Sequence, residues 1–109
     1  ITFARSVPLD KAREDVLLVY KMNGAELPAA HGFPVRAIVP GWYGVSSVKW
    51  LSRLQVIDQP FRGYFQSVDY TFWDRSSGIP VQEPITELSV KAQIARPAPG
   101  ERVNAGSLQ

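Results

Sequence analysis

His31-Gly32-Phe33-Pro34-Val35-Arg36-Ala37-Ile38-Val39-Pro40-Gly41, continued by Gly44 and by Ser47-Val48-Lys49-Trp50-Leu51, is the stretch on which the fold of this chain turns. Gly32 and Pro34, with one residue between them, predict extended or turning backbone. Residues 35–39 are rich in β-branched side chains and alternate, which predicts a strand, and Pro40-Gly41 closes it. Residues 44–49 read as a loop or a single helical turn. A short strand between two glycine-containing turns thus gathers three donor side chains, His31, Arg36 and Lys49, within nineteen residues.

Upstream, residues 6–14 read as a short helix with Ser6 as N-cap and Pro8 in the first turn. Residues 16–22 are apolar and β-branched and predict a strand. It ends at Asn23-Gly24, the residue pair that favours a two-residue hairpin turn, and residues 25–27 form a short return arm stopped by Pro28. Downstream, residues 51–57 alternate as a strand does. Residues 60–74 carry Phe61, Tyr64, Phe65, Tyr70, Phe72 and Trp73, a density that suits a core edge or a pocket wall. Residues 76–84 are a linker by composition, with Pro80 and Pro84 interrupting any regular element. Residues 90–95 alternate again, and residues 97–100 form a turn. The sum is a strand-rich α+β chain. Its last strand follows a proline-containing linker and has no later partner in sequence, which suggests a cut through a larger protein.

The 109 residues suit one modest domain, and 45% hydrophobic with 20% charged residues is ordinary for a globular protein. The net charge of +2 comes from 12 basic and 10 acidic residues, with no basic run to suit nucleic acid. No apolar stretch approaches the roughly 20 residues of a membrane span. The chain holds no cysteine, so neither a disulfide nor a thiolate metal site lies within it. A single histidine excludes a multi-histidine metal site, and no nucleophile elbow, zinc-protease helix, dinucleotide fingerprint or P-loop is present.

What remains is chemistry suited to an anion. Arg36 offers a planar fork that matches two oxygens at once, and Lys49 offers a point charge. Gly32, Gly41 and Gly44 allow backbone to approach a ligand closely, and amides near Ser46-Ser47-Val48 add donors. Taken singly, each residue has a plainer reading. A histidine beside glycine is structural or solvated, an arginine on a strand lies on the surface, and a lysine beside tryptophan lays its stem over an aromatic face. From the residues alone, the reading stops at an anion site.

Taken together, the motifs resemble the sulfite oxidase family. The resembling pieces are Met22-Asn23-Gly24, Leu27-Pro28, His31-Gly32-Phe33-Pro34-Val35-Arg36, Val39-Pro40-Gly41, Gly44 and Val48-Lys49-Trp50-Leu51, with Asp69-Tyr70 in an aromatic-rich segment. Residues 1–75 resemble the C-terminal part of the molybdopterin-binding domain, and residues 76–83 a linker. Residues 84–109, through Pro84-Ile85-Thr86-Glu87-Leu88 and Arg96-Pro97, resemble the start of an immunoglobulin-like dimerisation domain.

The resemblance implies a fragment of an oxidoreductase that oxidises sulfite, or a similar small oxyanion, by oxygen-atom transfer. Molybdopterin is its cofactor, and electrons pass to a haem protein such as a c-type cytochrome. His31, Arg36, Ser47, Val48 and Lys49 match residues that contact the cofactor, with Arg36 at its phosphate end. Tyr70 matches an active-site tyrosine whose hydroxyl can donate to an oxyanion. The family often has histidine where Ser47 stands, in a loop that contributes partly through its backbone. No residue here is expected to ligate metal. In the family a cysteine preceding the matched stretch binds the molybdenum, so the chain alone is expected to hold cofactor weakly and not to turn over sulfite. A homodimeric parent is implied, periplasmic or, as the alternative, cytoplasmic. Two rivals stay open: a nitrate or sulfoxide reductase with the same cofactor fold, and a non-catalytic β-rich binding module.

Overall fold

The computed structural model describes residues 2–102. Ile1 and residues 103–109, the outer ends of the regions 1–75 and 84–109, lie outside the described residues. Pro8, at φ −53° and ψ 142°, ends an extended entry and opens helix α1 (Leu9–Glu14). The N-cap is therefore Pro8, not Ser6. The Ser6 hydroxyl and amide are instead taken by the Gln66 side-chain amide, at 2.6 and 2.7 Å, a pairing between distant segments that local cap rules do not anticipate. An ion pair from Lys11 to Asp15 at 2.7 Å supports the far end of the helix.

The expected strand over residues 16–22 is split at Tyr20 into β1 (Leu17–Val19) and β2 (Lys21–Met22). β2 turns back into β3 (Ala25–Glu26), pairing Lys21 with Glu26 and Met22 with Ala25. Asn23 at φ 53° and Gly24 at φ 81° give the double left-handed turn that Asn-Gly favours. β4 (Arg36–Ile38) pairs antiparallel with β1, Leu18 opposite Ala37. Among the described residues the buried hydrophobic ones are Ala37 and Val39, in and just after β4, and Leu27, just after β3, all at most 8% exposed.

Beyond β4, a 3-10 turn (Gly44–Ser46) leads residues 47–51 back alongside the strand. Ala37 N–H donates to the Val48 carbonyl and Leu51 N–H to the Val35 carbonyl, both at 2.8 Å. Residues 51–57 form no strand. Alternation makes a strand only where a partner supplies the ladder, and Leu54 and Val56 stand 69% and 82% exposed. The aromatic stretch forms helix α2 (Tyr64–Ser67) and strand β5 (Thr71–Asp74).

β5 pairs antiparallel with β6 (Val81–Pro84), so a regular element does form between Pro80 and Pro84. Pro84 sits at the strand's end opposite Thr71, on a two-stranded ribbon where every strand is an edge, the position that tolerates a missing amide. Residues 86–88 then lie against the turn after β4, with Tyr43 N–H to the Thr86 carbonyl and Leu88 N–H to the Gly41 carbonyl, each 2.8 Å. Residues 90–95 have no strand partner, and the alternation there goes unused. The architecture is a mixed, strand-rich α+β arrangement of three two-stranded antiparallel sheets and two short helices among the described residues.

Candidate functional site

The segment from Ala29 to Arg36 folds over the segment from Ser47 to Trp50. Ala29–His31 is a 3-10 turn ended by Gly32, which is buried and at φ 113°. A Cβ on Gly32 would lie 3.0 Å from Arg36 Cβ and 3.1 Å from Lys49 Cβ. The bare glycine therefore lets the two basic stems close over one point, and a side chain there would push them apart.

Arg36 Nη1 donates to the His31 carbonyl and Nη2 to the Ser47 carbonyl, each at 3.2 Å. Lys49 Nζ donates to the Ala30 carbonyl at 3.0 Å and lies 5.0 Å from the centre of the Trp50 ring. The plain reading of Lys49 as a stem over an aromatic face thus holds together with its place in the cluster. Among the described residues neither Arg36 nor Lys49 pairs with a carboxylate; the ion pairs there are Lys11–Asp15 and Arg96–Glu101. Two cations without an acid partner, resting on neutral carbonyls, leave net positive charge at an exposed rim, and their remaining N–H donors suit a phosphate or another oxyanion. Next to them is an open groove of about 250 Å³ whose walls include Phe3, Val45, Val48 and Trp50.

His31, Arg36, Ser47, Val48 and Lys49 are therefore brought together. His31 is exposed and joins through its backbone. Ser47 joins through its carbonyl to Arg36 and through its hydroxyl, which accepts from Val39 N–H at 3.0 Å. Val48 joins through its carbonyl.

Tyr70 is not joined to this cluster by any hydrogen bond among the described residues. It precedes β5 at φ 52°, its carbonyl accepts from Ile85 N–H at 3.0 Å, and its side chain is 47% exposed.

Sequence reading missed two residues that hold this region. Trp50 donates from its indole Nε1 to the Ala29 carbonyl at 2.9 Å. Arg5 donates to the carbonyls of Phe65 and Ile85, tying the chain's first residues to α2 and to the end of β6. Burial without a carboxylate lowers the pKa of Arg5. For Arg5 the only sequence signal is residue type, since a guanidinium is an obligate donor that seeks acceptors when packed; Trp50 stands in the Val48-Lys49-Trp50-Leu51 motif, but the motif gives its indole donor no role. Their partners are 21, 60 and 80 residues away, beyond any local rule.

Comparison with known proteins gives the cluster its context. The family model described as "Oxidoreductase molybdopterin binding domain" matches residues 1–65. Mitochondrial sulfite oxidase from Homo sapiens is 38% identical over 97% of this chain and 21% of its own length. A nitrate reductase [NADH] from Ulva prolifera is 35% identical over 82% of the chain and 12% of its own length. The crystal structure of the sulfane dehydrogenase SoxCD from Paracoccus pantotrophus superposes with a TM-score of 0.61 at 34% identity, over 70% of this chain and 19% of that one. The chain spans about a fifth of the length of the sulfite oxidases it matches. A family match over more than half of the chain, with relatives above 30% identity along nearly all of it, shows that the chain belongs to the molybdopterin-binding oxidoreductase family.

Proposed function

We propose that this chain supplies part of the grip on molybdopterin in an enzyme that oxidises sulfite to sulfate. The observation that carries the reading is the pair Arg36 and Lys49, closed over bare Gly32 and without a carboxylate partner among the described residues. That donor set fits a phosphate-bearing cofactor: a guanidinium fork, an ammonium and close backbone. Arg36 would hold the phosphate end, with His31, Ser47, Val48 and Lys49 completing the contact. When bound, molybdopterin with its molybdenum supplies two-electron redox chemistry.

Sulfite oxidation adds one oxygen atom, drawn in net from water, and releases two protons and two electrons. The chain's own contribution to substrate would be the Tyr70 hydroxyl, donating a hydrogen bond to the oxyanion. A haem protein, such as a c-type cytochrome, would take the electrons. Residues 1–75 would be the C-terminal part of the cofactor domain, 76–83 a linker, and 84–109 the start of an immunoglobulin-like dimerisation domain in a homodimer. Among the described residues no helix is long and apolar enough to cross a membrane. We place the protein in the periplasm, with the cytoplasm as the alternative. The nitrate reductase relative favours a second reading, in which the same grip serves nitrate reduction.

The test uses the full-length protein that carries this sequence, assayed for molybdenum and for sulfite-dependent reduction of cytochrome c. Stoichiometric molybdenum with sulfite turnover is expected, and Tyr70→Phe should keep the metal while lowering kcat by roughly a hundredfold to a thousandfold, the cost of one oxyanion donor. Molybdenum without sulfite turnover moves the substrate to nitrate. Full turnover in Tyr70→Phe removes Tyr70 from the site. A folded protein without molybdenum returns the chain to a non-catalytic binding module.

A further inference from the structure

Three consecutive carbonyls, those of Ala29, Ala30 and His31, each accept one hydrogen bond from a different side chain: Trp50 at 2.9 Å, Lys49 at 3.0 Å and Arg36 at 3.2 Å. Arg36 and Lys49 belong to the cluster described above. Trp50 lines the adjoining groove and brings no charge for an anion, and two features set it apart. Its φ is +50°, a left-handed conformation that a bulky residue adopts only when its surroundings hold it there. The residue is also 58% exposed, so core packing does not account for holding it. What does hold it is the indole N–H on Ala29, the Lys49 ammonium over its ring, and the next residue's amide on Val35 at 2.8 Å.

We infer that Trp50 is a positioning residue for the anion cradle: its N–H anchors the Ala29–His31 turn and its ring aims the Lys49 ammonium. The inference rests on the proposed role of Arg36 and Lys49 as the phosphate grip. The ammonium of Lys49 carries three donors. One is on the Ala30 carbonyl, and the ring steers the head electrostatically without consuming another, so donors remain for a ligand. The indole N–H adds a second donor, beside the Gly32 amide at 3.1 Å, to the first carbonyl of the turn whose next two carbonyls seat Lys49 and Arg36. With that carbonyl fixed, the two cations stand in place before an anion arrives, and binding loses less to ordering them. Without it the turn spends part of its time disassembled, and apparent affinity falls by the fraction assembled.

The experiment titrates the full-length, cofactor-free protein that carries this sequence with inorganic phosphate and follows selectively labelled amide and indole resonances by NMR. Trp50→Phe deletes the N–H and keeps an aromatic face. It should weaken phosphate binding roughly threefold to tenfold, the value of one hydrogen bond, and shift the amides of residues 30–32. The urea midpoint is measured in parallel, and an unchanged midpoint with weakened binding separates positioning from general loosening. Arg36→Ala serves as the reference for the cradle itself. If Arg36→Ala weakens binding and Trp50→Phe does not, the positioning role is overturned and the cradle stands. If Arg36→Ala leaves binding unchanged, or the unaltered chain binds no phosphate, the cradle reading fails and takes the inference with it. Should Trp50→Phe not fold, the indole N–H of the unaltered chain decides the matter. Hydrogen exchange slower than that of a free indole supports the anchor, and exchange at the free rate overturns it.

Discussion

The Ser47 hydroxyl accepts a hydrogen bond from the amide of Val39, which is 3% exposed and one of the buried apolar residues beside β4. Where a backbone ladder ends, a side chain must supply the acceptor, or a buried N–H goes unpaired. Ser47→Ala should therefore cost roughly 1–3 kcal/mol of stability, the range for stranding a buried donor. Urea unfolding of the two proteins measures it, and equal midpoints would show that water or another carbonyl replaces the hydroxyl. At this scale the sequence was legible where chemistry is local. His31, Arg36 and Lys49 stand out by type beside glycine-containing turns, Ser47 through the family resemblance, and the structure does gather them. The serine's cap on Val39 was not legible, because it depends on a path through the 3-10 turn that no pattern records. Tyr70 marks the opposite limit. Its type and motif suggest chemistry, but its link is to Ile85 by backbone, and the residues that would face its hydroxyl are not among those joined to it here.

Short elements in this chain owe their form to their turns. β2 and β3 are two residues each, too short to hold themselves, and the Asn23-Gly24 turn sets their register. The β5–β6 hairpin depends on a different device. Asp74 accepts hydrogen bonds from the amide and the hydroxyl of Ser76, both at 2.9 Å, and the amide first, then the hydroxyl, hold its pKa below the usual carboxylate range. A depressed carboxyl pKa adds stability that is present above the ordinary carboxylate value and is lost as pH falls through the lowered one. The hairpin turn should therefore loosen on the acid side of the carboxylate range and stay unchanged around neutrality. Ser76→Ala removes the hydroxyl bond and should move the Asp74 titration, followed by carboxyl carbon NMR, back toward its ordinary value. An unmoved titration would mean that the amide bond alone accounts for the depression. Turn chemistry made the first hairpin readable from two letters of sequence. The second was hidden because prolines at 80 and 84 suggested a linker, while Pro80 stands just before β6 and Pro84 at the end of an edge strand, where a missing amide is tolerated.

The whole molecule is open: its radius of gyration is 19.1 Å, against about 13 Å for a compact domain of about 100 residues. Among the described residues the buried hydrophobic ones are Leu27, Ala37 and Val39, while Leu17, Leu18, Leu54, Val56, Phe72, Trp73 and Ile79 are all more than half exposed. Three separate two-stranded ribbons cannot each bury a face, and single links such as Arg5 to Phe65 and Ile85, or Tyr43 to Thr86, tie distant segments together without covering the ribbons. This explains why the alternating segments 51–57 and 90–95 looked like strands: their patterns carry a face to be buried, and the described residues supply no surface to bury it. Apolar area of this extent drives association, and a net charge of +2 opposes it little. The 109-residue chain should therefore self-associate with rising concentration in sedimentation velocity and bind a hydrophobic dye. Sodium sulfate should strengthen the association, because excluded salts favour apolar burial. Association that weakens as sodium chloride rises would instead assign it to pairing between basic and acidic side chains of different copies, whose attraction salt screens. A monomer that binds no dye at any accessible concentration would mean that the ribbons close over one another in solution.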